Sequence, residues 1–227
     1  MRKDESILDK NTVISMIDHA VLKPEATDND VLRECEIAAR YGVASVCVKP
    51  CHVALAREAL KDSKVKVSTV IGFPHGSTTT ACKVFEAVEA MENGAEELDM
   101  VINIGKLLTG DYDYVREDIK RVVSVAHERG VIVKVIIETA LLDLNHKVQA
   151  CKLAEEAGAD FVKTSTGFAG KGATLEDICI MRGAVGPNMK LKASGGIKTF
   201  EQAAEFVNAG CERLGTSSTA AIAEEIG

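Results

Sequence analysis

Hydrophobic positions along this chain follow two periods, and the switch from one to the other recurs. Amphipathic stretches carry the 3.6-residue period: Val84, Val88 and Met91 share one face, as do Val115, Ile119, Val122 and Ala126. A glycine then precedes a short apolar run. The joins read ARYG–VASVCV (39–48), MENG–AEELDMVIN (91–103), HERG–VIVKVIIE (127–138), EEAG–ADFVKTS (155–165) and VNAG–CERLGTSS (207–218). Glycine suits a helix end because it adopts the left-handed conformation without a Cβ penalty. Runs such as VIVKVII suit parallel strands buried on both faces. Strands are predicted near 16–20, 44–48, 65–71, 96–101, 131–137, 160–163, 190–193 and 212–215. Helices follow near 28–41, 51–61, 78–93, 112–129, 145–157, 174–185, 199–209 and 217–226. Eight strand–helix units in this length predict an α/β TIM (β/α)8 barrel, one domain over 1–227. The alternative is an open doubly wound sheet, but no GxGxxG follows a first strand and no composition shift marks a second domain.

Composition narrows the function classes. The 227 residues are 46% apolar and 27% charged, as in a globular protein with a substantial core. A net charge of −7 argues against nucleic acid or an anionic membrane as partner. No apolar run approaches the ~18 residues that span a bilayer. The opening MRKDESILDKN lacks the apolar segment of a secretory leader. Seven cysteines, an odd number scattered through predicted helices and strands, read as reduced thiols and place the protein in the cytoplasm.

Barrel enzymes build their sites where strands end, so the polar residues there carry the chemistry. Asp18 and His19 end the first strand, with Lys23 beyond; Cys47 and Lys49 end the second; GFPHG (72–76) follows the third. Asp99 interrupts the fourth, with Asn103 after it, Lys134 lies within the fifth and Glu138-Thr139 close it, Lys163 ends the sixth, and Lys192 lies in the seventh. A lysine ending a buried strand, followed by Thr164, Ser165, Thr166 and Gly167, places a desolvated amine within reach of a ligand. A free lysine has a pKa near ~10.4, so about 0.04% is neutral at pH 7. Lowering it to about 7 takes roughly 4–5 kcal/mol of bias against the ammonium, which burial and a neighbouring cation can supply. Lys192, in LKASGG, is the candidate neighbour. The alternative for this set is a structural ion-pair cluster. A second constellation reads as an anion site. Ala193-Ser194-Gly195-Gly196 follows the seventh strand and Gly215-Thr216-Ser217-Ser218 the eighth, where barrels often bind phosphate through backbone N–H groups.

DHAVLKP (18–24), TVIGFPHG (69–76), ELDMVIN (97–103), KVIIET (134–139), FVKTSTGF (161–168), LKASGGIK (191–198) and RLGTSS (213–218) together resemble the deoxyribose-phosphate aldolase family, in family order from residue 18 to about 218. The resemblance implies a class I aldolase acting on 2-deoxy-D-ribose 5-phosphate without metal or other cofactor. Lys163 would form the imine, Lys192 would depress its pKa, and Asp99 would act in proton transfer. Gly167, Gly195, Gly196, Gly215, Ser217 and Ser218 match the family's phosphate loops. Asp18, Cys47, Lys134 and Thr166 match substrate-pocket positions, with Cys47 near the small aldehyde. There are departures. Some relatives carry a C-terminal tyrosine, whereas this chain ends AAIAEEIG with no tyrosine beyond Tyr114. Lys171, in AGKGAT, stands in a segment where some relatives place a lysine. Ala20 occupies a position where threonine is common.

CVKPCH (47–52) matches no standard zinc spacing, and REDIKR (116–121) reads as a solvated helix face. Two readings stand beside the sugar-phosphate aldolase: another Schiff-base barrel enzyme, such as a transaldolase, and a non-catalytic sugar-phosphate binder. The expected partners are a sugar phosphate and small aldehydes, with a homo-oligomer, dimer or tetramer, left open.

Overall fold

The computed structural model describes residues 9–225. The leader reading of residues 1–8 and the end of the helix predicted over 217–226 fall outside the described residues. Eight strands, β1 (Ile17–Val21), β2 (Ser45–Val48), β3 (Lys66–Ile71), β4 (Glu97–Val101), β5 (Ile132–Ile136), β6 (Phe161–Lys163), β7 (Lys190–Ser194) and β8 (Arg213–Thr216), pair in parallel and in sequence order. β1 also pairs with β8, so the sheet closes on itself and leaves no edge. Helices α2 (Asp28–Tyr41), α3 (Val53–Ala59), α4 (Thr80–Glu92), α6 (Tyr112–His127), α7 (Leu144–Glu156), α8 (Leu175–Ala184), α9 (Phe200–Asn208) and α10 (Thr219–Glu224) follow the eight strands in turn. This is a TIM barrel.

Local chemistry sets the boundaries. Thr27 starts α2 with a reciprocal capping box to Asp30, and Thr199 starts α9 in the same way with Gln202. The five glycines expected at helix ends all take positive φ, from 65° at Gly42 to 102° at Gly94. The sequence pattern did not announce two short helices, α1 (Lys10–Ser15) and α5 (Ile104–Leu108), nor the 3-10 turns at Pro50–His52 and Thr139–Leu141. Each spans six residues or fewer, too short to show a helical period. α1 and α5 start from side-chain caps: Asp9 accepts from the Thr12 N–H, and Asn103 from the Lys106 N–H.

The strands are buried on both faces, as expected, but only the outward face is predominantly apolar. Ile17, Val46, Val67, Leu98, Val133, Val162, Leu191 and Leu214 join the main hydrophobic core, which lies between sheet and helices. The alternate positions point into the barrel and include Asp18, Ser45, Ser68, Glu97, Asp99, Lys134, Lys163, Lys192 and Arg213, linked by the hydrogen bonds described below. The apolar look of VIVKVII comes from the outward Val133 and Val135, which join the core, and from Ile136, an inward residue two positions beyond Lys134. This barrel interior is a charged column inside an apolar shell.

One charged pair lies outside that column and corrects the reading of 116–121 as a solvated face. Asp118 on α6 is fully buried and receives Lys83 Nζ of α4 at 2.5 Å. Lys83 also donates to the Val101 carbonyl at 2.8 Å, and Thr80 Oγ1 donates to Asp118 at 2.8 Å. Burial pushes the Lys83 ammonium below its usual pKa, and Asp118 opposes the shift. The pair ties α4 and α6 to the C-terminal end of β4, two residues beyond Asp99. Asp118→Asn leaves a buried ammonium without its counter-charge, and a loss of about 3–5 kcal/mol is expected. Urea unfolding checks it: the midpoint should fall with an unchanged m-value.

Candidate active site

The residues that the sequence singled out at strand ends converge. Lys163 Nζ lies 2.7 Å from Asp99 Oδ2, and Lys192 Nζ lies 2.6 Å from the same oxygen. The register explains this: Asp99 pairs across to Lys134, Ile136 to Lys163, and Lys163 to Lys192. Inward side chains at neighbouring levels must therefore meet on the axis. Lys192 Nζ also reaches Asp18 Oδ2 at 2.5 Å, and Ser45 Oγ donates to Asp18 Oδ1 at 2.6 Å. Asp18, Asp99, Lys163 and Lys192 are each at most 3% exposed.

The two lysines share a carboxylate oxygen yet shift in opposite directions. Burial disfavours the ammonium of both. Lys192 faces two carboxylates, Asp18 and Asp99, and their attraction carries its pKa above the usual lysine value. Lys163 faces Asp99 alone and is repelled by Lys192, so its pKa falls below the usual value. Burial by itself would raise the Asp99 carboxyl; Lys134, Lys163 and Lys192 together outweigh it and hold Asp99 well below the carboxylate range. One amine is thus biased toward the free base, beside a fixed cation and a fixed anion.

A cavity of about 680 Å³ opens onto Lys163 at the C-terminal end of the strands. Its wall includes Asp18, Cys47, Lys192 and Thr166, together with Gly167, Gly195, Gly196, Gly215, Ser217 and Ser218. Burial pushes the Cys47 thiol up, so it stays protonated. At Gly215 the backbone has no room for a side chain: a Cβ would stand 2.7 Å from Ser194 Cβ and 3.3 Å from Lys192 Cε. Gly195 and Gly196, both with φ above 80°, turn the chain at the cavity wall. Glu138 holds the loop after β6. It is 2% exposed, has a left-handed φ of 55°, and accepts from the Thr166 N–H at 3.2 Å and from the Thr166 hydroxyl. Ser194 Oγ donates to the Ser165 carbonyl at 2.5 Å, which ties the β6 and β7 loops together.

Lys134, expected at the pocket wall, lies beneath it. It is fully buried, absent from the cavity lining, and pairs with Glu97 at 2.6 Å, Asp99 at 2.9 Å and Asp18 at 3.4 Å. Asp99 is likewise covered by the two lysines it binds. Lys171 is exposed and does not line the cavity, whereas Lys23 and Lys198 do. His52 of CVKPCH pairs with Asp28 at 3.2 Å.

Known proteins resemble this chain over nearly its full length. Residues 12–218 match the family described as DeoC/LacD family aldolase. The deoxyribose-phosphate aldolase of Thermococcus gammatolerans is 58% identical over 214 residues, covering 93% of this chain and 95% of that protein. The chain belongs to the DeoC/LacD aldolase family. It is therefore a carbon–carbon lyase. The deoxyribose-phosphate aldolase of Clostridium kluyveri is 54% identical over 212 residues, covering 93% of this chain and 97% of the relative. Among solved structures, the deoxyribose phosphate aldolase from Aeropyrum pernix, described as a unique tetramer, superposes with a TM-score of 0.89 at 33% identity. That match covers 96% of this chain and 92% of the other.

Two members of this aldolase's charged column escaped sequence reasoning. Arg213 bonds Asp18 at 2.5 Å and Glu97 at 2.7 Å, and its guanidinium lies 5.6 Å from the Phe161 ring centroid. Glu97 is fully buried. The available signal was spacing: Glu97 lies two residues before Asp99, and so on the same strand face.

Proposed function

We propose that this chain reversibly cleaves 2-deoxy-D-ribose 5-phosphate to D-glyceraldehyde 3-phosphate and acetaldehyde through a Schiff base on Lys163. The observation that carries the reading is the shared Asp99 oxygen: it sets a cationic Lys192 against Lys163 at the floor of a cavity walled by glycine and serine loops.

The chemistry follows from those placements. Unprotonated Lys163 Nζ adds to the C1 carbonyl of the open-chain sugar. The carbinolamine takes up a proton and loses water to leave a protonated imine, the proton being returned when the imine is hydrolysed. As a proton leaves the C3 hydroxyl, the C2–C3 bond breaks. Its electron pair moves into the imine system, leaving an enamine over C1 and C2 and an aldehyde at C3. Protonation of C2 and hydrolysis of the imine release acetaldehyde and restore the amine. Asp99, between Lys163 and Lys192, is the group positioned to relay protons at Nζ. Gly167, Gly195, Gly196, Gly215, Ser217 and Ser218 hold the phosphate, with Lys198 and Lys23 adding positive charge at the rim. Cys47 lies beside the two-carbon end, and Asp18 and Thr166 complete the pocket. Lys134 acts from below, by fixing Asp99 and Asp18. No cofactor or metal enters these steps.

Residues 1–227 act as one catalytic domain in this reading, in the cytoplasm, where seven free thiols are at home. The assembly is a dimer or tetramer, supported by the tetrameric Aeropyrum pernix relative. Incubation with 2-deoxy-D-ribose 5-phosphate followed by borohydride reduction is expected to leave a covalent adduct on Lys163, located by peptide mass mapping. An unmodified Lys163 in a folded protein that still binds the sugar phosphate would sink the proposal.

A further inference from the structure

Among the described residues, the barrel interior holds three carboxylates, Asp18, Glu97 and Asp99, against four basic side chains, Lys134, Lys163, Lys192 and Arg213. All seven belong to one connected network. Arg213 spans Asp18 and Glu97; Lys134 spans Glu97, Asp99 and Asp18; Lys192 spans Asp18 and Asp99; Lys163 hangs on Asp99 alone. With four cations the interior carries one positive charge in excess. With Lys163 as the free amine it is balanced. Lys163 is also the member with a single carboxylate contact, and the cavity gives it a route for its proton, so it is the group that yields.

The lower half of the network decides that outcome. Glu97 faces Lys134 from β5 at 2.6 Å, Arg213 from β8 at 2.7 Å and the half-exposed Lys66 from β3 at 3.5 Å. Arg213 faces Asp18 from β1, Glu97 from β4 and the Phe161 ring from β6. Lys163 itself faces Asp99 from β4, Lys192 from β7 and the protonated Cys47 thiol from β2. By occupying Asp18 and Glu97, Arg213 leaves less negative charge for the lysines above. Glu97, by holding Lys134 and Arg213, supplies what remains below.

We propose that Arg213 and Glu97 are positioning residues that set the protonation of Lys163 through the shared carboxylates, from the end of the barrel opposite the cavity and without touching substrate. The inference rests on the Schiff-base role of Lys163. Losing the arginine leaves three carboxylates for three lysines, so Lys163 keeps its proton to higher pH. Losing the glutamate leaves two carboxylates for three cations besides Lys163, so Lys163 gives up its proton at lower pH.

Trace acetylation of Lys163 by acetic anhydride, in competition with a reference amine and read by peptide mass mapping across pH, reports its free-amine fraction without requiring turnover. Arg213→Met is expected to move the labelling midpoint up by about one pH unit, a roughly tenfold loss of reactive amine at neutral pH, and Glu97→Gln to move it down. The double variant Glu97→Gln/Arg213→Met restores the charge count and should return close to the parent. Arg213→Lys, which keeps the charge, should also stay near it. Should Arg213→Met fail to fold, Glu97→Gln and the double variant carry the test. A midpoint that stays fixed in Glu97→Gln, or a double variant that fails to return, overturns the inference. Absence of a borohydride-trapped adduct in the parent chain sinks the aldolase reading instead; an adduct with an immobile midpoint sinks this inference alone.

Discussion

Lys163→Met is expected to abolish adduct formation and lower turnover by at least about 10⁴-fold, while leaving the barrel more stable than its parent. The first half follows from chemistry, since methionine cannot form an imine. The second follows from linkage. Burial depresses the folded-state pKa of Lys163, Asp99 pulls it back, and Lys192 pushes it down again, with a net fall. The unfolded chain therefore takes up a proton that the folded chain resists, and stability rises with pH across that window. The penalty is full below the folded pKa and is gone above the unfolded value of about 10.4. Methionine has a similar volume and removes that penalty, so the variant gains stability at neutral pH. Paired thermal melts at pH 7 and near pH 10.5 read this directly. The variant should melt higher at pH 7, and its advantage should shrink at the alkaline end. A variant less stable than the parent at pH 7 would show that Lys163 is a structural cation.

Such a trade between stability and chemistry marks the residues that were legible in the sequence. Lys134, Lys163 and Lys192 interrupt apolar runs, and Asp99 sits inside LDMV, so each broke the local pattern and drew notice. Glu97 and Arg213 did not, because each has a charged neighbour. In AEEL, Glu96 is half-buried and bonds Arg57 at the surface, while Glu97 is fully buried. In CERL, Glu212 is exposed while Arg213 turns inward to Asp18. Telling the two members of each pair apart requires strand phase, which a one-residue boundary error inverts. Inward apolar residues such as Ile136, Val70 and Phe161 interleave with the charges, so apolar character alone did not separate the two strand faces. The buried Lys83–Asp118 pair was illegible for a different reason. Both residues lie on amphipathic helices rich in surface charge, and only the packing of α4 on α6 brings them together. The barrel itself was readable because its evidence is repeated eight times, whereas each of these polar contacts occurs once.

Lys192→Met tests the electrostatic core of the site, and its expected signature is a loss that alkali repairs. The fold should survive. Without Lys192, Asp18 still has Arg213, Ser45 and Lys134, and Asp99 still has Lys163 and Lys134, so no carboxylate is stranded. What changes is the company of Lys163. The cation that repelled its proton is gone, and Asp99 now binds it with less competition, so its pKa climbs back toward the ordinary lysine value. With a larger share of the amine held as ammonium at pH 7, turnover there should fall by at least about tenfold. Between pH 9 and pH 7 the parent should lose less rate than the variant, because its Lys163 gives up the proton at lower pH. A ratio of variant to parent kcat/KM that narrows steadily as pH rises, in a variant that stays folded at the assay temperature, assigns Lys192 the task of freeing the Lys163 amine. A ratio that stays constant across pH would mean that Lys192 acts on a later proton transfer and that burial alone frees the nucleophile.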